Sequence, residues 1–164
     1  MTAPDPRETA WRRFIETSTR LSTTVDEQLR ADSQMTLADY HLLLLLREAP
    51  GHRLRMKELS DRMVFSASRL TYQVDVLVRR GWLCREPVPG DRRGSYAVLT
   101  GDGLAAFTAA AEVHLRHVER LFVDAFSDDD GRRLAALLDR LDRHLDQQCD
   151  VHLPTAATTR SESS

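Results

Sequence analysis

Residues 54–100, LRMKELSDRMVFSASRLTYQVDVLVRRGWLCREPVPGDRRGSYAVLT, constrain the fold more than any other part of this 164-residue chain. They predict two short helices, a tight turn and a β-hairpin with an arginine-rich tip. Over 56–63, Met56, Leu59 and Met63 recur at spacings of three and four, so one helical face is buried. Lys57, Glu58, Asp61 and Arg62 cover the other side. Val64 and Phe65 break the pattern at a turn. Ser66 can cap a second helix, because its hydroxyl accepts a free N–H of the first turn. That helix is expected over about 67–80 and stops at Gly81, the residue that favours a helix end. Its apolar stripe is Leu70, Val74, Leu77 and Val78. Ser68, Arg69, Tyr72 and Gln73 are expected on the opposite face, with Asp75 and Arg79 further on. Small donors and acceptors at the start of a helix that follows a short turn suit base edges and phosphates.

Next come two apolar runs, residues 82–88 and 95–99, around the loop Pro89-Gly90-Asp91-Arg92-Arg93-Gly94. This is the pattern of a hairpin. Two glycines let the loop bend where branched residues could not. Asp91 is placed to pair with a neighbouring arginine and fix its direction. Alone, such a hairpin reads as an ordinary charged surface. Directly after a helix–turn–helix, its arginines read as a probe for phosphates or a minor groove.

Charge supports that reading. The net charge is −2, which looks wrong for a nucleic-acid binder. Yet residues 53–93 hold ten Lys/Arg against five Asp/Glu, a surplus of five, and the rest of the chain carries −7. A local basic patch in an acidic frame is the electrostatic footprint of DNA binding.

Leu37-Ala38-Asp39-Tyr40-His41-Leu42-Leu43, the helix pair, "DRR" at the hairpin tip and "VLTGDG" after it resemble the MarR family of bacterial winged helix–turn–helix regulators. The resemblance runs from about residue 11 to 145. It implies a mainly α protomer with a small β-hairpin wing, in the order α1-α2-β1-α3-α4-β2-β3-α5-α6, working as a two-fold homodimer. It implies that the helix opening at Ser66 reads the major groove, which makes the polar positions Ser66, Ser68, Arg69, Thr71, Tyr72, Gln73 and Arg79 the candidate DNA-binding residues of that helix. It implies that Arg93 enters the minor groove, braced by Asp91 and flanked by Arg92. The partners implied are double-stranded DNA with a pseudo-palindromic operator, a second copy of the chain, and a small-molecule effector; no membrane is involved. A winged-helix adaptor that binds protein rather than DNA is the alternative, since fold does not settle function.

The length suits one integrated domain. Within it, residues 7–50 form a dimerisation helix and a support helix, 52–100 the DNA-binding lobe, and 101–149 C-terminal dimerisation helices. Residues 1–6 and 154–164 read as disordered tails. Trp11, Phe14, Ile15, Leu21, Val25 and Leu29 predict one long amphipathic helix. Thr36 or Asp39 begins the next, whose five leucines leave no polar side and predict burial all round. Thr100 caps a long helix that continues through Phe122 and Phe126. Ser127-Asp128-Asp129-Asp130 opens the last helix as a capping box. The terminal helices hold more apolar face than one small core can cover, and a dimer would bury the surplus.

The longest apolar run, 42–46, is too short to span a membrane, and no basic, apolar leader precedes a cleavage site, so a cytoplasmic location is expected. Cys84 and Cys149 are expected as free thiols. The family's peroxide sensors carry a cysteine in the first helix, and this chain has none before position 84. No nucleophile–base–acid set, Gly-rich phosphate loop or CxxC is evident, so neither an enzyme nor a cofactor is expected. His114 and His117, three apart on one helix, could with His41 hold a metal, with Asp39, Glu112 and Glu119 as further donors, and a zinc-responsive regulator is a second alternative. The family's effector pocket would here be lined by Trp11, Phe14, Tyr40, His41 and His114.

Overall fold

A computed structural model describes residues 5–150, with side chains through 148. The expectations for residues 1–4 and 154–164, and for the Cys149 thiol, lie outside the described residues. The chain divides between Leu121 and Phe122 into two compact units.

The first unit holds five helices and a small sheet. Helix α1, Pro6–Ser33, starts where Asp5 accepts the Arg7 N–H at 2.8 Å and Pro6 needs no donor partner. Only its C-terminal half buries residues, Val25 and Leu29. Helix α2, Leu37–Glu48, opens on a reciprocal capping box: Thr36 Oγ1 accepts the Asp39 N–H, and the Asp39 carboxylate accepts the Thr36 N–H, both at 2.9 Å. Leu42, Leu43 and Leu46 are wholly buried, but Leu44 and Leu45 are only partly so. His41, Arg47 and Glu48 are exposed. The expected all-round burial of α2 is thus corrected: its polar ends sit on a solvent-facing side.

Strand β1, Arg53–Arg55, leads into α3, Met56–Met63, and α4, Ala67–Arg79. Strands β2, Leu83–Val88, and β3, Asp91–Leu99, form the hairpin, and the antiparallel sheet has the order β1-β3-β2. The register sets Leu54 opposite Ala97 and Leu83 opposite Leu99, so the inward positions of all three strands meet the helices. Leu59, Leu70, Val74, Leu77 and Phe107 join α2 in one core. This is the mainly helical winged helix–turn–helix fold expected from the sequence.

Helix α5, Gly101–Leu121, is locked to the hairpin at its first turn. Thr100 donates its hydroxyl to Gly81 O at 2.7 Å and accepts the Gly103 N–H at 3.0 Å. A Cβ at Gly103 would lie 2.1 Å from the Trp82 carbonyl, so only glycine permits this approach. The helix ends at Leu121 rather than running through Phe122 and Phe126. Those two belong to the second unit, where a 3-10 turn, Val123–Ala125, brings their rings to 5.1 Å.

In that second unit, helix α6, Asp128–Asp150, is capped as expected: Ser127 Oγ accepts the Asp130 N–H, and the Asp130 carboxylate accepts the Ser127 N–H and hydroxyl. Leu137, Leu138, Leu141 and Leu145 are all exposed along it. No helix among the described residues is long and apolar enough to cross a membrane.

Candidate nucleic-acid interface

Helix α4 buries Leu70, Val74 and Leu77 and thereby turns the opposite arc outward. Ser66 caps it, accepting the Arg69 N–H at 3.3 Å, with Ser68 Oγ 3.2 Å from Ser66 Oγ. Ser68, Thr71, Tyr72 and Arg79 are exposed, Tyr72 by 67%. The residues that flank this arc are engaged inside the protein. Asp75 pairs with Arg85 of β2 at 2.9 Å, and Arg85 also reaches Thr71 O.

Gln73 departs from its expected place on the outer face. It is half-buried, and its side-chain amide donates to Asp39 Oδ1 on α2. Asp39 is 2% exposed, and its other oxygen holds the Thr36 N–H. A buried carboxylate is tolerated only when its lone pairs are filled, so this arrangement is a latch between α2 and α4. Arg69 is exposed but turned aside, its guanidinium 3.8 Å from the Phe65 ring centroid. A charged group over an aromatic face is held by the ring quadrupole.

The wing also differs from expectation. The turn is only Pro89-Gly90, with Gly90 at φ +80, and Asp91 already belongs to β3. Val88 pairs with Asp91 while Pro87 pairs with Ser95. Arg92, Arg93 and Gly94 are therefore squeezed out of the ladder as a bulge, which re-aims side chains. Asp91 does not clamp an arginine of the tip. Its Oδ1 accepts the backbone N–H groups of Arg93 at 3.1 Å and Gly94 at 3.0 Å. Its Oδ2 lies 3.8 Å from Arg55 Nη1. Asp91 thus fixes the shape of the bulge and leaves both guanidinium groups outside any ion pair among the described residues. An open cleft of about 450 Å3 separates this bulge from the start of α3, lined by Arg55, Lys57, Asp91 and Arg93.

Of the residues expected to line an effector pocket, Tyr40 and His114 come together, while Trp11, Phe14 and His41 stand apart from them. Tyr40 stacks on Phe107 at 5.0 Å between centroids and meets His114 at 4.3 Å. Burial pushes the Tyr40 hydroxyl up, against the opposing charge of Arg47. Burial likewise holds His114 below its ordinary value, helped by His117. His114 Nδ1 is buried without a hydrogen-bond partner. Trp11 and Phe14 stand exposed on the N-terminal half of α1. His41 lines a different space, an open cleft of about 570 Å3 shared by α1, α2 and the α3–α4 turn, together with Asp26, Phe65 and Arg69. Asp26 is set by competing effects: burial raises it, but the Arg30 guanidinium and the Leu37 N–H together hold its carboxyl below the usual range.

His41, His114 and His117 form no shared metal site. Among the described residues no group of three His, Cys, Asp or Glu side chains is arranged to hold a metal. His117 is already engaged: Arg120 donates to its Nδ1 at 3.1 Å, which leaves Nε2 to donate to Asp32 at 2.7 Å. Cys84 is free and exposed.

The chain is 31% identical over 136 residues to the HTH-type transcriptional regulator PecS of Dickeya dadantii (strain 3937), covering 80% of this chain and 81% of PecS. Residues 33–94 match the MarR family. The chain belongs to the MarR family of transcriptional regulators. Two solved members from Streptomyces coelicolor share the fold closely. Sco3205, whose structure is in complex with DNA, is 32% identical with a TM-score of 0.83 over 88% of this chain and 94% of its own. AbsC is 31% identical with a TM-score of 0.82 over 90% of this chain and 99% of its own. The MarR match spans α2, the helix pair and the wing bulge, which are the elements that carry the outward arc of α4 and the Arg92–Arg93 pair.

Proposed function

We propose that this MarR-family chain is a homodimeric DNA-binding regulator, most simply a repressor, released from an inverted-repeat operator by a small-molecule effector. The single observation that carries the reading is the contrast along α4: its flanks are tied down by Asp39 and Arg85, while Ser68, Thr71, Tyr72 and Arg79 face outward. A helix held in this way presents base-reading groups at fixed positions. Arg92 and Arg93 supply the neighbouring contacts to phosphate or minor groove. The DNA complex of Sco3205 supports the same use of a similar fold.

A dimer follows from the apolar side chains left outside the core. Trp11, Phe14 and Ile15 on α1 and the four leucines of α6 are exposed in the single chain. Large unburied apolar surface of this kind needs a partner, and a two-fold dimer covers it with its own copy. Two copies of α4 then require an operator with two inverted half-sites. The effector is assigned to the cleft that His41, Asp26, Phe65 and Arg69 line, because a ligand there touches α1 and the start of α4 at once.

Electrophoretic retardation of the DNA upstream of the chain's own gene tests this function. Binding is expected at low salt, with steep weakening as salt rises, because neutralised phosphates release counterions. No retardation on that segment or any neighbouring intergenic DNA would defeat the proposal.

A further inference from the structure

The turn between α3 and α4 contains a residue that the isolated protein has no use for. Val64 terminates α3 in the left-handed region, at φ 52 and ψ 40. For a β-branched side chain that conformation is an outlier, because Cβ and its branches crowd the backbone. The chain path enforces it: Val64 N donates to Asp61 O, Phe65 N to Ser60 O at 3.1 Å, and Ser60 Oγ to Phe65 O at 2.7 Å. Glycine or asparagine adopts this conformation with far less strain. Packing offers no compensation, since Val64 is 90% exposed, the highest value for any large apolar residue among those described. Strain held by its surroundings, on a side chain left almost wholly exposed, points to a ligand outside the molecule.

The position indicates which ligand. Val64 lies two residues before Ser66, the cap of α4, beside the end of that helix where Ser68 and Tyr72 are exposed. Met63 before it is buried and Phe65 after it is partly buried, so Val64 is a lone exposed apolar group between the charged Asp61 and Arg62 and the Ser66 cap, not part of a protein-sized apolar patch. An isopropyl group can neither donate nor accept a hydrogen bond. The one apolar feature that base edges display in the major groove is the C5 methyl of thymine. We propose that Val64 packs on a thymine methyl in each half-site and so selects a T·A pair that α4 itself does not read. The inference rests on the proposed DNA-binding function.

The test uses the full chain, a footprinted operator duplex, and copies in which symmetric thymines are replaced one pair at a time by deoxyuridine, which lacks only the methyl. Burial of one methyl-sized group is worth roughly fourfold in affinity, so two half-sites give on the order of fifteenfold. One thymine pair is expected to show a loss of that order for the unmodified protein. V64G should bind the unsubstituted operator weaker by a similar factor and be indifferent to deoxyuridine at that pair. V64T, which keeps a methyl at the same place, should retain most of the affinity and the deoxyuridine sensitivity. V64G and V64N should melt no lower than the unmodified chain, which excludes loss of binding through unfolding. If V64G binds like the unmodified chain, or binds more weakly while no deoxyuridine pair distinguishes the two proteins, the thymine contact is wrong. If the unmodified chain retards no duplex at all, the DNA-binding reading itself has failed instead.

Discussion

Gln73 and Arg93 are both long polar side chains on the two elements assigned to DNA, yet only one of them is held. Gln73 is fixed by a buried carboxylate one helix away, and Asp75 by Arg85. Arg93 is fixed only through its backbone, which Asp91 grips while the guanidinium stays free. The difference is physical. Gln73 is not itself a reading group, but the helix it ties down carries Ser68, Thr71 and Tyr72 outward, and a hydrogen bond from such a helix to a base edge is lost by misplacement of an ångström. A cation that meets phosphates gains from reach, since Coulomb attraction falls slowly with distance and tolerates many geometries. On the proposed function, the helix discriminates and the bulge holds.

That contrast can be broken first at its foundation. Leu77 is wholly buried and seats α4 on the core. Leu77→Ala should cost roughly 2–5 kcal/mol of stability, from lost burial and the cavity left behind. Urea unfolding checks this, and a loss under 1 kcal/mol would mean that α4 is not mounted as described. Next is the latch. Asp39→Ala strands the Thr36 N–H and the Gln73 amide, and should cost about 1–3 kcal/mol. Because it frees α4, operator affinity should fall under conditions where the variant is still fully folded. Affinity unchanged in a folded variant would separate the latch from recognition.

The bulge should behave in the opposite way. Arg93→Ala alters an exposed group, so the melting temperature should hardly move. Binding should weaken, and the slope of log affinity against log salt should flatten by about two units for a dimer that loses one phosphate contact per protomer. A steep, unchanged slope would remove the wing from the interface. The smallest effect concerns Asp26, whose carboxyl is held below its ordinary value and pins the start of α2 through Leu37. A depressed carboxylate contributes stability that is complete above its unfolded value and lost as pH falls through the folded one. The melting difference between Asp26→Asn and the unmodified chain should therefore be constant near neutrality and shrink below roughly pH 4. A difference that grows on acidification would reverse the assignment.

Much of this was legible in the chain because it is local. Leu70, Val74 and Leu77 declare a helix face by spacing alone, and Ser66, Thr100 and Ser127 declare helix starts by their capping chemistry. The departures are all non-local or register-dependent. Gln73 reads as an outer-face residue until α2 supplies Asp39 from 34 positions away. Arg92 and Arg93 read as a loop tip because a three-residue bulge depends on how Pro87 and Val88 pair across the hairpin. Asp91 was expected to brace a side chain, but its hydrogen bonds to the backbone need the bulge to exist first. Trp11, Phe14, Tyr40, His41 and His114 share an aromatic or heteroaromatic character that says nothing about which face each one meets.

Hydroxyl-radical footprinting of the unmodified chain and of Arg92→Ala/Arg93→Ala on one operator duplex tests the division of labour most directly. The unmodified dimer should protect two inverted half-sites centred about 10 base pairs apart, with flanking minor-groove protection on either side. The double variant, at a concentration that restores occupancy, should keep the half-site protection and lose only the flanks. Protection that disappears from both regions together, or flanks that persist without the two arginines, would contradict a rigid reading helix paired with an independently reaching wing.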